Sequence, residues 1–577
     1  MLLRVPSLDR VSLNPDESQY EAAASYLVAT GESPLAYALG APGTYTLFTI
    51  VNRVFGPYSM FEIRLLVQVM CLALTWALFW IVRRETNRWC GSAAGLVFLH
   101  YSMLYEGLTV NREWFAVLMT TTGLCLWLAV IDRSGLRADA VRFVAGLATG
   151  FAIWFKLQAS LTVFAVPGAM LWRAVERRAA RDGVRRIAAF AAGGVVCGIA
   201  YLVPFWKAGT LSEFLGDVWA DWKVYVLANE STVRAATHGA ARLYLREFLT
   251  GLPHRPLLLL AYGFAVLVLA QAVLWAWRPA GPRPLGGRPA VVACASWLVL
   301  AMACVQLGHR FFAHYYLLIV PAVSALCGFA LHWLWHEATE RRWTRWAALL
   351  FVGALAADAF FLVPGAPART MRLLDPRTLF TVVHAAAAVG LLVYLLVRPL
   401  ARAPRVAGIW LALEIALLVG VQQTTPTPRS MSHNPYSFAE LAAFLRGASA
   451  PGDRLFVWGW APEIYSLTRL EAASQVVTSE YVVRDFLAAP ARPSLDPAWV
   501  ERMMRDLRER EPRFIVDASA RSWTNTDARF YRLELYPGFE FVDLLNERYV
   551  ALGRIDGCLV YERRTEGPRG SPSLPAT

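Results

Sequence analysis

Lysine is scarce in this sequence: only three of its 56 basic residues are lysines, and charged residues of both signs make up 17% of its 577 residues. In soluble proteins the charged share is about a quarter, so the composition excludes an ordinary soluble enzyme. The net charge of +13 does not indicate a nucleic-acid partner, because the arginines gather in short clusters between apolar runs. With 56% hydrophobic residues and a mean hydropathy of +0.40, the chain is predicted to be a polytopic membrane protein.

The sequence also lacks cysteines at spacings typical of disulfide pairs or of metal sites. Seven of the eight cysteines lie within or beside apolar runs, and Cys558 stands alone near the C-terminus. No spacing typical of a disulfide framework or a zinc site is present. The cysteines are therefore predicted to act as small hydrophobic residues.

Long apolar runs are what the sequence has in abundance. A helix needs about 20 apolar residues to cross the hydrocarbon core of a bilayer. Twelve spans are predicted, at 59–82, 90–106, 112–131, 140–157, 159–172, 187–206, 256–277, 289–307, 313–335, 346–363, 378–397 and 406–421.

Alternate loops between these runs are rich in arginine. Six of them, from "RRETNRWC" to "RPLARAPR", together hold 21 arginines. Under the positive-inside rule these loops face the cytoplasm. The N-terminal stretch, the 207–255 loop and everything after residue 422 are therefore predicted to lie outside a bacterial cytoplasmic membrane.

The two ends of the chain differ from its middle. Residues 1–58 are predicted to form an outer-face acidic loop with an amphipathic helix, and this sidedness leads us to expect a further transmembrane helix upstream of the first residue. From about 426 to 565, short strand-like segments such as "DRLFVWGW" and a charged helix predict a small soluble α/β domain on the outer, periplasmic face. The tail 566–577 is predicted to be disordered.

The stretch "NPDESQY" places two acids, Asp16 and Glu17, at a predicted helix start. Asn14 is a favourable N-cap, Pro15 suits the first helical position, and acids in the first turn complement the helix dipole. Simple capping of a surface helix is therefore one interpretation. The alternative is a reactive carboxylate at the outer membrane interface.

An outer-face Asp-Glu pair before about a dozen spans resembles the GT-C superfamily of membrane glycosyltransferases. More narrowly, the sequence is similar to bacterial relatives of protein O-mannosyltransferases and of the aminoarabinose transferase that modifies lipid A. The motifs that carry this resemblance are "NPDESQY", "TVNREWF", "WFKLQ" and "GHRFFAHYYLLIVP", and they cover roughly residues 10–335.

The resemblance implies transfer of a sugar from a polyprenyl-phosphate carrier to a hydroxyl group of a lipid, polysaccharide or protein. A hydroxyl acceptor benefits from a general base, whereas a phosphate leaving group needs cations or a metal rather than an acid. Asp16 is the expected base, with inversion at the anomeric carbon. Glu17 is expected to orient the acceptor or to hold a divalent metal such as Mg²⁺ or Mn²⁺, with Asp16 as a further possible ligand.

Further candidate binding residues lie at the predicted outer ends of spans. Arg112 and Glu113 either anchor a helix end or join the Asp16 loop. Lys156 either snorkels to the interface or binds the carrier phosphate. The remaining candidates for the carrier site are Arg310, His314 and Tyr315.

Two other regions hold residues suited to carbohydrates. Trp219 and Trp222 in the 207–255 loop favour an amphipathic helix on the membrane over a sugar site. In the C-terminal part, Trp458, Trp460, Glu463 and Tyr465 either stack on a sugar or fill the core of the domain. We expect this part to recognise the acceptor or to cover the site.

Three other classes of protein stay open at this stage. A transporter or flippase for a lipid-linked envelope precursor would place its charges near the membrane midplane. The second class is a polysaccharide polymerase or ligase on the outer face. The third is an assembly subunit with a degenerate site.

Overall fold

The computed structural model describes residues 15–32, 42–102, 109–207, 288–307, 313–337, 438–479, 494–521 and 531–564, with a few isolated positions at 209–216 and 482–483. Four predicted spans, 256–277, 346–363, 378–397 and 406–421, lie outside these residues. So do most of the 207–255 loop, with Trp219 and Trp222, and the tail 566–577.

Helices make up most of the described chain up to residue 337. Helix α1 (Pro15–Thr30) begins at the proline where the sequence predicts a helix start. The following helices are α2 (Pro42–Phe55), α3 (Met60–Glu85), α4 (Arg88–Tyr101), α5 (Arg112–Ala129), α6 (Leu136–Phe155), α7 (Ala165–Glu176), α8 (Ala180–Lys207), α9 (Pro289–Leu307) and α10 (Val320–Glu337). Two 3₁₀ helices, Leu157–Phe164 and Ala313–Leu318, precede α7 and α10.

These helices coincide with eight of the predicted spans. Among the described residues, α3, α6 and α8 are long and apolar enough to cross a membrane. Large apolar side chains such as Trp76 and Val184 are about two-thirds exposed on their outer faces. Such faces suit contact with lipid, and the chain is a helical membrane protein.

Glycines allow α6 to pack closely against α8. A Cβ atom on Gly146 would lie 1.9 Å from the carbonyl oxygen of Phe190, and one on Gly193 would lie 2.0 Å from that of Phe143. Small residues permit such close backbone approach between membrane helices. This packing fixes the direction of α6, whose C-terminal end reaches the candidate site.

The C-terminal part contains a five-stranded sheet. Its elements are α11 (Ala439–Ala448), β1 (Arg454–Trp458), α12 (Glu463–Thr468), β2 (Glu471–Ala472), α13 (Pro497–Arg510), β3 (Phe514–Asp517), α14 (Glu540–Arg548), β4 (Tyr549–Ile555) and β5 (Cys558–Arg563). The strand order is β2-β1-β3-β5-β4, in which β2, β1 and β3 run parallel and β5 pairs antiparallel with β3 and β4.

The two faces of this sheet belong to different cores. Along β1, Leu455 and Val457 join the core that continues into the membrane helices, whereas Phe456 and Trp458 face a second core with α13 and α14. This division follows from the alternation of side chains along a strand. The sheet is therefore packed onto the helical part through one of its faces.

Helix α1 lies at this junction. Every residue from Glu17 to Leu27 is buried, and α1 contacts α2 on one side and α12 and β2 on the other. This differs from the amphipathic helix expected in residues 1–58. Helices cover one side of α1 and the sheet covers the other, so α1 has no broad solvent-facing stripe.

Candidate active site

Glu17 fixes the start of α1 to two other segments. Its Oε2 accepts a hydrogen bond from Nη2 of Arg64 on α3 at 2.7 Å. Its Oε1 accepts from the backbone N–H of Val110 at 2.6 Å and from Nε of Arg64 at 3.4 Å. Both side chains of this ion pair are fully buried. Glu17 thus anchors the helix, and the acceptor-orienting or metal-binding role expected from the sequence stays a prediction.

Asp16 is the neighbouring acid, and it is only half-buried. It interacts electrostatically with Arg112, the first residue of α5, and with Lys156. Asp16 therefore combines solvent access with two nearby cations. A carboxylate in this setting can accept a proton from an incoming hydroxyl group.

Lys156 lies at the break between α6 and the 3₁₀ helix that follows it. Its backbone is extended, with φ −153° and ψ 110°. The ammonium group pairs with Oε1 of Glu113 and lies 3.6 Å from the ring centre of Tyr315. Lys156 is 2% exposed and Glu113 1% exposed. A buried ammonium needs such a counter-ion, and the pair joins the end of α6 to the start of α5.

Arg112 completes the group from the other side. Its guanidinium carbon lies 5.5 Å from the ring centre of Tyr20 on α1, and the side chain is half-buried. Tyr20 itself packs edge-on against Tyr45 and Phe48 of α2. Stacking on an aromatic face holds a guanidinium while its N–H groups stay available.

The structure therefore brings most of the predicted site residues together. Five of them form what we call the site cluster: Asp16, Arg112, Glu113, Lys156 and Tyr315. Glu17 holds the start of α1, and with it Asp16, through its pair with Arg64. Arg310 and the side chain of His314 lie outside the described residues, so their predicted roles stay predictions.

Of the two interpretations left open for the aromatic residues of the C-terminal part, the structure favours the domain core for two of them. Trp458 and Tyr465 are fully buried. The indole Nε1 of Trp458 donates to the carbonyl of Tyr531, and the hydroxyl of Tyr465 accepts from the N–H of Val457. Both side chains thus belong to the core around the sheet.

Sequence reasoning missed Arg64. This arginine lies in the apolar run "MFEIRLLVQ" and is 1% exposed. A charge inside an apolar span is costly unless it is paired or functional, and that signal would have found it. Its partner could not be read from the sequence, because Glu17 is 47 positions away.

A divalent metal at Asp16 and Glu17 stays a prediction. No three His, Cys, Asp or Glu side chains come together in the part of the chain that the structure describes. Both carboxylate oxygens of Glu17 already accept hydrogen bonds from Arg64. A hard cation prefers several oxygen ligands, and Glu17 has no carboxylate oxygen that is not already hydrogen-bonded.

Comparison with solved structures identifies proteins of similar fold. The chain is similar to ArnT, an aminoarabinose transferase, from Cupriavidus metallidurans bound to undecaprenyl phosphate. The TM-score is 0.51 at 18% sequence identity, over 98% of this chain and 97% of that one. ArnT in the apo state gives the same TM-score at 16% identity. No protein-family model and no curated protein matches the sequence.

The chain therefore has the GT-C fold, and the resemblance drawn from the sequence motifs is confirmed at the level of the fold. An oligosaccharyltransferase from Archaeoglobus fulgidus, which like ArnT is of the GT-C superfamily, gives a TM-score of 0.41 at 12% identity, over 89% of this chain and 67% of that one. That score is too low to establish a shared fold.

Proposed function

We propose that this protein is a membrane glycosyltransferase that moves a sugar from a polyprenyl-phosphate carrier to an acceptor hydroxyl on the outer face of the cytoplasmic membrane. The observation that carries the proposal is the convergence of a half-buried acid, Asp16, with two cations, Arg112 and Lys156. The GT-C fold and the likeness to a transferase bound to undecaprenyl phosphate support it.

The reaction needs one base and a cationic site. Asp16 accepts the proton of the acceptor hydroxyl, whose oxygen attacks the anomeric carbon. The bond from that carbon to the phosphate oxygen breaks, and its electron pair leaves with the polyprenyl phosphate. Because a phosphate is stable as an anion, no acid has to protonate it. Attack opposite the leaving group inverts the anomeric configuration.

Arg112 is the better placed of the two cations to contact the phosphate. It is half-buried and its fork of N–H donors matches phosphate oxygens. Lys156 is paired with Glu113, so its charge is largely offset, and its main role is to set the position of α6. Arg310 and His314 stay candidates for the same phosphate.

The position of the charges favours an enzyme over a flippase. Asp16, Arg112 and Lys156 all lie at ends of helices or at a helix break. A transporter is expected to hold its ionisable groups near the membrane midplane. The acceptor stays open among lipid, polysaccharide and protein.

The proposal is tested by the donor requirement. Membranes containing the protein are incubated with radiolabelled sugars on polyprenyl phosphate, on polyprenyl diphosphate and on nucleotide carriers, together with a crude envelope acceptor fraction. We expect transfer from polyprenyl phosphate alone. Transfer from the diphosphate carrier would instead indicate a polymerase or ligase, and no transfer from any carrier by folded protein would overturn the proposal.

A further inference from the structure

A second buried acid lies one helical turn beyond Glu17. Glu21 is 1% exposed, and its Oε2 accepts a hydrogen bond from the hydroxyl of Ser466 on α12 at 2.6 Å. Its other oxygen, Oε1, is buried and has no hydrogen-bond partner among the described residues. Glu21 thus faces the C-terminal sheet, whereas Glu17 faces Arg64 in the membrane helices.

Burial, more than the surrounding charges, favours the neutral form of Glu21. Burial raises the pKa of Glu21 from 4.5 to about 7. The Glu17 carboxylate acts in the same direction, while Arg64 on α3, Arg469 at the end of α12 and the Ser466 hydrogen bond lower the pKa. The Tyr58 phenol also faces this acid. The desolvation of the buried carboxyl outweighs the three contributions that lower its pKa, so Glu21 holds its proton more tightly than an exposed glutamate does.

Two more contacts join the same surfaces. The Tyr58 hydroxyl, in the turn between α2 and α3, donates to the carbonyl of Leu470 just before β2. The guanidinium carbon of Arg510 at the end of α13 lies 4.9 Å from the ring centre of Tyr26 on α1. We call these two contacts and the Glu21–Ser466 hydrogen bond the α1 joint. Asp16 lies at the start of the same helix.

We propose that Glu21 is a positioning residue: its hydrogen bond to Ser466 seats the C-terminal sheet on α1 and thereby fixes Asp16 against Arg112 and Lys156. This inference rests on the proposed function of Asp16. It gives the sheet a part in the chemical step, in contrast to the acceptor recognition or cover expected from the sequence. A displacement of about 1 Å in a reacting group can reduce a rate about 100-fold.

The joint responds to pH in a defined direction. The neutral acid suits the buried joint, and an undocked Glu21 would regain its ordinary pKa of 4.5. Between about 4.5 and 7 the docked state therefore binds more protons than the undocked one, so docking weakens as pH rises through this window. The stabilisation is complete below this window and is lost above it.

Kinetics of three variants test the proposal. Glu21→Ala is expected to lower kcat by about 10-fold to 100-fold with KM changed less than about twofold, as for a lost positioning contact. Glu21→Gln accepts the same hydrogen bond without a charge, so it should retain activity. The fall in kcat that we expect of the unmodified protein between about pH 4.5 and 7 should be absent in this variant. Glu440→Ala, which removes an exposed glutamate of α11, is the matched control and should behave as the unmodified protein.

A readout without activity separates this inference from the proposed function. Hydrogen exchange in detergent should show faster exchange in α1 and α12 for Glu21→Ala, with protection restored in Glu21→Gln. Unchanged exchange in Glu21→Ala, a rise in KM at constant kcat, or equal losses in the Ala and Gln variants would each overturn the positioning role. Failure of the unmodified protein to transfer any sugar would count against the proposed function alone.

Discussion

Helices α5 and α6 carry a charged group at each end, and the two groups differ in how much water reaches them. The site cluster lies where α5 begins and α6 ends. At the opposite end, about 27 Å away along the 18 residues of α5, Asp132 bridges Arg173 and Arg177. The Asp132 side chain is 59% exposed, whereas the side chains of Glu113 and Lys156 are 1% and 3% exposed.

Exposed and buried ion pairs contribute differently to stability. Exposed pairs such as Asp132–Arg177 are solvated and typically contribute less than about 1 kcal/mol. Buried pairs such as Glu113–Lys156 bring a desolvation cost and lose far more when one partner is removed. The exposed group therefore fastens loops at the arginine-rich end. The buried pairs Glu17–Arg64 and Glu113–Lys156 hold four helices, α1, α3, α5 and α6, around Asp16 and Arg112.

The largest loss of stability is expected when Glu17 is removed. Glu17→Ala leaves the Arg64 guanidinium buried without its carboxylate, which costs about 3–5 kcal/mol. We expect a large drop in the thermal midpoint in detergent, whereas Glu62→Ala, on the partly exposed start of α3, should change it little. The double variant Glu17→Gln, Arg64→Met should recover much of the loss. A stable Glu17→Ala protein would contradict the anchoring role.

A somewhat smaller loss is expected at the second buried pair. Lys156→Met leaves the Glu113 carboxylate buried, at a cost of about 3 kcal/mol, and Glu113→Gln in the same chain should restore most of it. Denaturant titration of the single and double variants measures this coupling. Additive effects of the two substitutions would show that Lys156 and Glu113 do not act as a pair.

Arg112 should affect turnover more than folding. Arg112→Met removes a phosphate donor, for which we expect a decrease of about 100-fold in kcat/KM, or about 2.7 kcal/mol. Arg112→Lys keeps the charge but loses the planar fork, so it should recover only part of the rate. Full activity of Arg112→Met would move the phosphate site away from this residue.

The smallest effect is expected at the exposed end. Asp132→Asn removes one acid shared by two arginines, and we expect a change in stability below about 1 kcal/mol that decreases further at high salt. Thermal unfolding at low and high ionic strength measures it. A loss as large as that of Glu17→Ala would remove the distinction between the two ends.

Much of the helical part could be predicted because its signals are local. Apolar length identified eight spans that coincide with described helices, and the Asn14–Pro15 pattern marked the start of α1. The grouping of Asp16, Arg112, Glu113 and Lys156 followed from the motif resemblance. The sidedness of the C-terminal part stays a prediction.

The remaining features depend on contacts between distant segments. Glu17 binds Arg64 and Glu21 binds Ser466 across 47 and 445 positions. No periodicity encodes such pairs, so the same acid pattern fitted a catalytic group, a metal ligand or an anchor. The burial of α1 between helices and sheet was missed for the same reason, because its small residues suit both a surface and an interior.

The central claim is that Asp16 is the base of a sugar transfer at the buried-charge end of the molecule. The most direct test is the initial rate of transfer from a labelled polyprenyl-phosphate sugar in reconstituted vesicles, for the unmodified protein, Asp16→Asn and the matched Asp132→Asn. We predict a loss of about 100-fold to 10,000-fold for Asp16→Asn, as for removal of a general base, and an unchanged rate for Asp132→Asn. Equal rates for all three proteins would contradict the account.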